Sequence, residues 1–356
     1  MTHPRLDNPT PLAFEPAFLA DEEGRAVFVP ILKGTWRIVD GARLELAEKQ
    51  VPVNLAGEHW GNPDASSYKF EPECVFVKPA TDAVLIGHAY PAERGAAEVS
   101  VGFRVGPVQK IVRVVGDRFW VKGSGGGPAM SAPRPFERMP LTWERAFGGW
   151  DRNDPDPNKH GFEPRNPVGT GFRLRWWPAE KAVRLPNLED PQQPIRDFTD
   201  RPPPAGFGFT SPNWQPRAAL TGTYDEAWMK GRMPLLPKDF DRRFFNAAAP
   251  GLIAAGHLKG NEPVMVVNAS PRGRIAFSLP GLPPPRIDVE LRGRRHETLP
   301  LALDTVVVDT DEEIVVLTWR AHLPVRNVPA DVAAIRVVVD GLPPPAGNAA
   351  AGTAGG

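Results

Sequence analysis

The chain has 356 residues and balances 42 lysines and arginines against 42 aspartates and glutamates, for a formal net charge of zero. No dense basic run is present, the nearest being the short RGRRH at 292–296, which argues against a nucleic-acid partner and for a protein or small-molecule one. The single cysteine, Cys74, rules out a disulfide within the chain and a cysteine-based zinc site, and the length is enough for two or three domains with cores of their own.

The first residues, MTHPRLDNPTPLAF, have neither a basic region nor an apolar stretch of signal-peptide type, and no eighteen apolar residues run together. We expect a soluble, unprocessed, cytoplasmic protein that does not enter a membrane. Proline (43) and glycine (34) make up about a fifth of the chain, below the roughly 25–30% that marks disorder. That density breaks most helical windows, so helix is expected in less than about a fifth of residues.

From the N-terminus, residues Val27–Val39 (VFVPILKGTWRIV) and 42–53 read as two strands joined at Asp40-Gly41, a strong hairpin signal because both residues tolerate positive φ. Further strands are predicted at Val75–Lys78, Ala83–Ala89 and Glu98–Val105. Gln109–Val115 and Arg118–Val121 flank Gly116-Asp117 as a second hairpin candidate. Residues 123–135 (GSGGGPAMSAPRP) read as a flexible linker. A phosphate loop would need Lys-Ser/Thr after the last glycine, where Pro128 stands.

The segment from Met139 to Pro250 holds six of the ten tryptophans on sequence with no clean helical or alternating period. Such aromatic surface on irregular backbone needs a shaped scaffold. One short helix is marked within it: Thr223 as N-cap, Glu226 completing a capping box, Gly231 and Pro234 ending the run. Tyr224 and Trp228 lie four apart on one face, expected to pack on the rest of the segment. Strands return at Glu262–Val267, Gly273–Leu279, Arg286–Arg292, Glu297–Val308, Glu313–Ala321 and Ala334–Val339.

The expected fold is thus mainly β: two β-sandwich-like units flanking the irregular aromatic-rich segment with its short helices. The boundaries are 1–122, a linker at 123–138, the central segment 139–256, a second β unit at 257–342, and a disordered tail at 343–356. The flanks suggest a duplication. HAYP then VSVGFRV (88–105) parallels FSLP then IDVELRG (277–293), and each leads to Leu-Thr-Trp, at Trp143 with Arg145 and at Trp319 with Arg320.

The chemistry is sparse. The loop DRNDPDPN (151–158) spaces oxygen ligands as calcium loops do, but lacks the sixth-position glycine and the twelfth-position glutamate. Asx-Pro repeats also make turns by bonding backbone two residues on. The seven histidines form no HExxH or i, i+4 pair, and no GxSxG elbow or dinucleotide-binding fingerprint occurs. No catalytic residue, metal ligand or cofactor is assigned, and no enzymatic activity is expected.

MPLTWERAFGGWD (139–151), NPVGTGF (166–172), LPNLEDP (185–191), AGFGF with Trp214 following, GTYDEAW (222–228) and DFDRRFFNAAAP (239–250) together resemble a bacterial family catalogued as domain of unknown function twenty-one sixty-nine. SSYKFEPECVFVKPATDAVLIGHAYP (66–91) is similar to the same family's upstream motif, and the resemblance spans about Pro11 to Val325. The chain departs from the pattern at Gly251-Leu252-Ile253, where the family commonly has Asp-Gln. The resemblance implies a type VI secretion adaptor or chaperone, without established catalytic residues, that binds a toxic effector and helps load it onto the spike. The implied partners are a secreted effector and a PAAR-type spike tip or spike protein, with a small helper protein as a further candidate.

Interfaces draw their affinity from a few aromatic and arginine anchors. Trp150, Arg173, Arg175, Trp176 and Trp177 combine both types on glycine-interrupted backbone, and we expect them at least partly exposed and in contact with the effector. Trp143 should be buried. The alternative class is a carbohydrate-binding or carbohydrate-active protein, with the tryptophans stacked on sugar rings and calcium in the 151–158 loop.

Overall fold

A computed structural model describes residues 4–40, 43–176, 182–293, 295–327 and 329–342. Strand makes up 39% and helix 6% of it. The longest strand, Ala26–Val39, is buried on both faces along most of its length, as its unbroken apolar and β-branched run requires.

A strand buried on both faces needs neighbours on both edges, and here they come from opposite ends of the chain. The large sheet runs in the order Ala13–Ala20, Ala26–Val39, Ile314–Arg320, Ala302–Asp309, Asp82–Ile86, with Arg43–Leu46 and Leu323–Pro324 also pairing Ala26–Val39. A five-stranded sheet runs Leu188–Glu189, Val108–Val115, Glu98–Val105, Pro263–Val267, Arg274–Ser278. A four-stranded sheet joins Arg5–Asp7 to Val332–Val338, Arg286–Leu291 and Arg295–Pro300. All three sheets therefore mix N- and C-terminal strands, and the boundaries at 122 and 257 do not separate two β units.

The duplication is corrected by the same topology. Glu98–Val105 lies between Val108–Val115 and Pro263–Val267, whereas Arg286–Leu291 lies between Val332–Val338 and Arg295–Pro300 in another sheet. Trp143 starts a 3-10 turn and Trp319 sits in a strand of the large sheet, so the two Leu-Thr-Trp motifs are not equivalent. Alternating patterns say which face is buried, not which strand lies alongside.

Local differences have local causes. The Ala26–Val39 and Arg43–Leu46 strands pair as predicted, although Gly41 itself lies outside the described residues. Val108–Val115 and Phe119–Lys122 do not pair, because the chain leaves the sheet at Gly116, where a Cβ would sit 1.8 Å from the Arg134 carbonyl oxygen. Val108–Val115 forms its hairpin with Glu98–Val105 instead, across Gly106-Pro107. Residues Val75–Lys78 are not a strand. The run 297–308 divides at Leu301 into strands of different sheets. Pro128–Met130 of the expected linker is a strand on Phe119–Lys122. The tail 343–356 lies outside the described residues.

The main core gathers buried residues of all three sheets and takes in Trp143, Phe207, Trp214 and Ala247–Ala249 of the central segment. A satellite core gathers Trp120, Phe147, Phe172, Val183, Leu185 and Ile195, with Trp176 and Phe198 against it.

Candidate partner-binding surface

Irregular backbone buried among sheets must find its hydrogen bonds elsewhere than in ladders. Three buried asparagines supply them. The amide of Asn166 donates to the carbonyls of Trp143 (2.8 Å) and Phe147 (3.1 Å). That of Asn187 donates to the Val115 carbonyl at 2.9 Å, and that of Asn246 to the Ala80 carbonyl at 2.7 Å and to Asp82 at 2.9 Å. Each sits inside a motif named above (NPVGTGF, LPNLEDP, RRFFNAAAP). Trp143 is buried as expected, its indole donating to the Phe209 carbonyl at 2.7 Å and meeting Trp214 edge-on.

Close approach of backbones sets the next piece. At Gly148 and Gly149 a Cβ would lie 2.1 Å from the Asn166 carbonyl oxygen and 2.3 Å from that of Gly169, and Gly149 adopts φ +93°. The chain then turns outward into a two-residue ladder, Trp150–Asp151 against Gly161–Phe162. Trp150 and Phe162 stack with centroids 4.5 Å apart and are each 42% exposed. The Arg152 guanidinium lies over the Trp150 ring at 4.6 Å.

The second strip of the expected surface arrives beside it. Arg173 donates to the carbonyls of Phe172 (2.8 Å) and Trp150 (3.2 Å), and exposed Arg175 pairs with Asp154 at 2.8 Å. Leu174 is exposed between them and reaches over Gly161. Trp176 is half-buried, edge-on to Phe198 at 5.6 Å on the satellite core. Trp177 lies outside the described residues. Three of the five named residues thus lie around one ladder, Trp150 and Arg175 exposed and Arg173 half-buried, while Trp176 leans on the satellite core.

The acidic loop at the tip of that ladder is occupied with its own turns. Asp151 is buried and accepts from the Asn153 amides and from the Leu174 N–H at 2.8 Å. Asp154 accepts from the Asp156 N–H, and Asp156 caps the turn Pro157–Lys159 by accepting from the Asn158 N–H. Among the described residues no group of three or more His, Cys, Asp or Glu side chains could hold a metal ion.

A second exposed patch was not foreseen. The helix Glu226–Gly231 is capped by Asp225, whose side chain accepts from the Trp228 N–H, rather than by Thr223, whose hydroxyl donates to Asp239. None of its residues is buried, and Met229 and Met233 are each 62% exposed. Tyr224 and Trp228 pack on each other at 4.7 Å, and Trp228 is half-buried with its indole donating to the Leu235 carbonyl at 2.8 Å, while Tyr224 is exposed. The signal available in sequence was the shortness of the helix, since six residues offer little face to bury.

Over residues 23–320 the chain matches the family described as an uncharacterized protein conserved in bacteria (DUF2169). The chain belongs to this family. No curated protein and no solved structure matches it. Among the described residues, no helix is long and apolar enough to cross a membrane.

Proposed function

We propose that this family member is a non-enzymatic cytoplasmic adaptor or chaperone that binds a type VI secretion effector, PAAR-type or spike-linked, and helps load it onto the secretion spike. The observation that carries the reading is the stacked, exposed Trp150–Phe162 pair rimmed by Arg152, Arg173 and Arg175. Aromatic anchors with an arginine rim on a fixed base are how protein interfaces concentrate affinity. The base is fixed here by the satellite core and the Asn166 clamp, and the family resemblance supplies the class of client.

The test is the double variant Trp150→Ala/Phe162→Ala, co-expressed with the products of neighbouring secretion genes. We expect client capture weakened by about 2 kcal/mol or more, with little change in melting temperature. Undiminished capture would place the interface elsewhere. A calcium-dependent rise in melting temperature together with glycan binding, and no protein client, would favour the carbohydrate-binding alternative.

A further inference from the structure

The strand Val108–Val115 has one edge only partly covered. Its inner edge pairs with Glu98–Val105 throughout, but its outer edge meets Leu188–Glu189 only at Arg113 and Val114. Side-chain and ladder parity then fix which groups face out. The Val115 N–H donates to the Asn187 carbonyl, and the Val115 carbonyl accepts from the Asn187 amide, so both Val115 groups point to the outer edge. Residues two, four and six positions away along a strand share a given residue's direction. Arg113, Ile111 and Gln109 therefore also aim their main-chain groups outward, and among the described residues nothing takes those of Ile111 and Gln109.

That open stretch borders a groove of about 620 Å³ whose lining includes Gln109, Lys110, Ile111, Pro203, Pro204 and Pro250. Prolines have no N–H to give, so Pro203, Pro204 and Pro250 cannot donate to the outward strand carbonyls. A second trough of about 560 Å³, lined by Ala248 and Ile253, shares Thr210, Pro216 and Pro250 with it, so the two adjoin. Ile111 is 59% exposed at the strand edge. Half-buried Lys110 donates to the Pro250 carbonyl at 2.8 Å and has no carboxylate at ion-pair distance among the described residues. Asp190 lines the same groove farther off. Burial pushes the Lys110 ammonium down to about 8, with Asp190 only partly opposing it.

We infer that the groove takes an extended peptide segment of a partner protein, added as a strand along Gln109–Ile111, with an acidic side chain on Lys110 and apolar side chains in the Ala248–Ile253 trough. Strand addition satisfies the outward main-chain groups, and a peptide carboxylate supplies the counter-charge that Lys110 lacks. An open strand edge left without such a partner is an aggregation hazard, which the proline walls also limit by narrowing access. The inference deepens the adaptor reading and takes from it only that the partner is a protein.

The experiment selects a phage-displayed library of linear dodecapeptides against the intact chain and measures the enriched synthetic peptides by fluorescence anisotropy. We expect enriched sequences to carry Asp or Glu among alternating apolar residues. Ile111→Pro removes an outward N–H and should weaken binding about tenfold, while Ile111→Thr, which keeps it, should not. If Ile111→Pro does not fold, Lys110→Glu provides the second arm: it should lose the acidic peptide by a similar factor and bind the same peptide with Lys in place of the acid. Absence of enriched peptides, or peptides indifferent to Ile111→Pro and to Lys110→Glu, would overturn the groove. Peptide binding that persists while no secretion-gene product co-purifies would overturn the adaptor reading alone.

Discussion

At the scale of single residues, charge and amide side chains hold the irregular segment where ladders cannot reach. Lys78 is buried with its ammonium 2.8 Å from Asp82, 3.2 Å from the Thr305 hydroxyl and 3.7 Å from Glu71, and Arg217 reaches Glu71 from the central segment. Burial opposes the Lys78 charge, but Asp82, Glu71 and Asp304 together outweigh it and hold the ammonium above its ordinary value. Burial likewise raises the Glu71 carboxyl, with Lys78 and Arg217 only partly offsetting it. Lys78→Met should cost roughly 3–5 kcal/mol in urea unfolding, because it strands buried carboxylates without their cation. Asn166→Ala takes the side-chain donor from the Phe147 carbonyl and leaves that of Trp143 with the Ala146 N–H alone, and should cost about 1–3 kcal/mol. Lys110 gives the opposite sign. Its folded pKa, about 8, lies below the ordinary 10.5, so between those values the unfolded chain binds more protons and stability rises with pH. Lys110→Met should therefore raise the melting temperature at pH 7, and the gain should fade as pH climbs from 8 to 10.5. Nothing in the sequence singled out these polar residues. Thr305, Arg217 and Pro250 lie far along the chain from Lys78, Glu71 and Lys110, and even with Asp82 four residues on, a buried lysine looks like a surface one until its neighbours are known.

At the scale of elements, glycines and caps behave as their spacing foretold in some places and not in others. The GG of AFGGWD marks a backbone that must pass close to another, and Gly149→Ala should destabilise by well over 1 kcal/mol, since φ +93° and the Gly169 carbonyl leave no room for a methyl. An unchanged urea midpoint for that variant would contradict this account. The helix Glu226–Gly231 makes the converse case. Met229→Ser/Met233→Ser should leave stability within about 0.5 kcal/mol, because neither side chain is buried. The capping box was legible, yet Asp225 took the cap from Thr223, whose hydroxyl was drawn off to Asp239. The ladder of Trp150–Asp151 with Gly161–Phe162 is two residues long on each side, too short to leave an alternating pattern.

At the scale of the whole molecule, the sheets interlock the two ends of the chain. Ile314–Arg320 pairs Ala26–Val39, and Ala302–Asp309 pairs Asp82–Ile86 in parallel, so a fragment ending at 256 loses the middle of the large sheet. That fragment should remain unfolded by circular dichroism and gain structure only when 257–342 is co-expressed. Independent folding of residues 1–256 would restore the idea of separable units. The sequence by itself determined that the chain is β-rich with little helix, where most strands fall, and that Trp143 is buried, because backbone propensity and alternation act over a few residues. Only the tertiary structure decided that no sheet belongs to one flank, that Trp150 and Phe162 stack in the open while Trp176 leans on a core, and that the edge of Val108–Val115 stays uncovered. Strand pairing and exposure depend on what distant chain covers each edge and face, and period-two patterns carry no address for the partner.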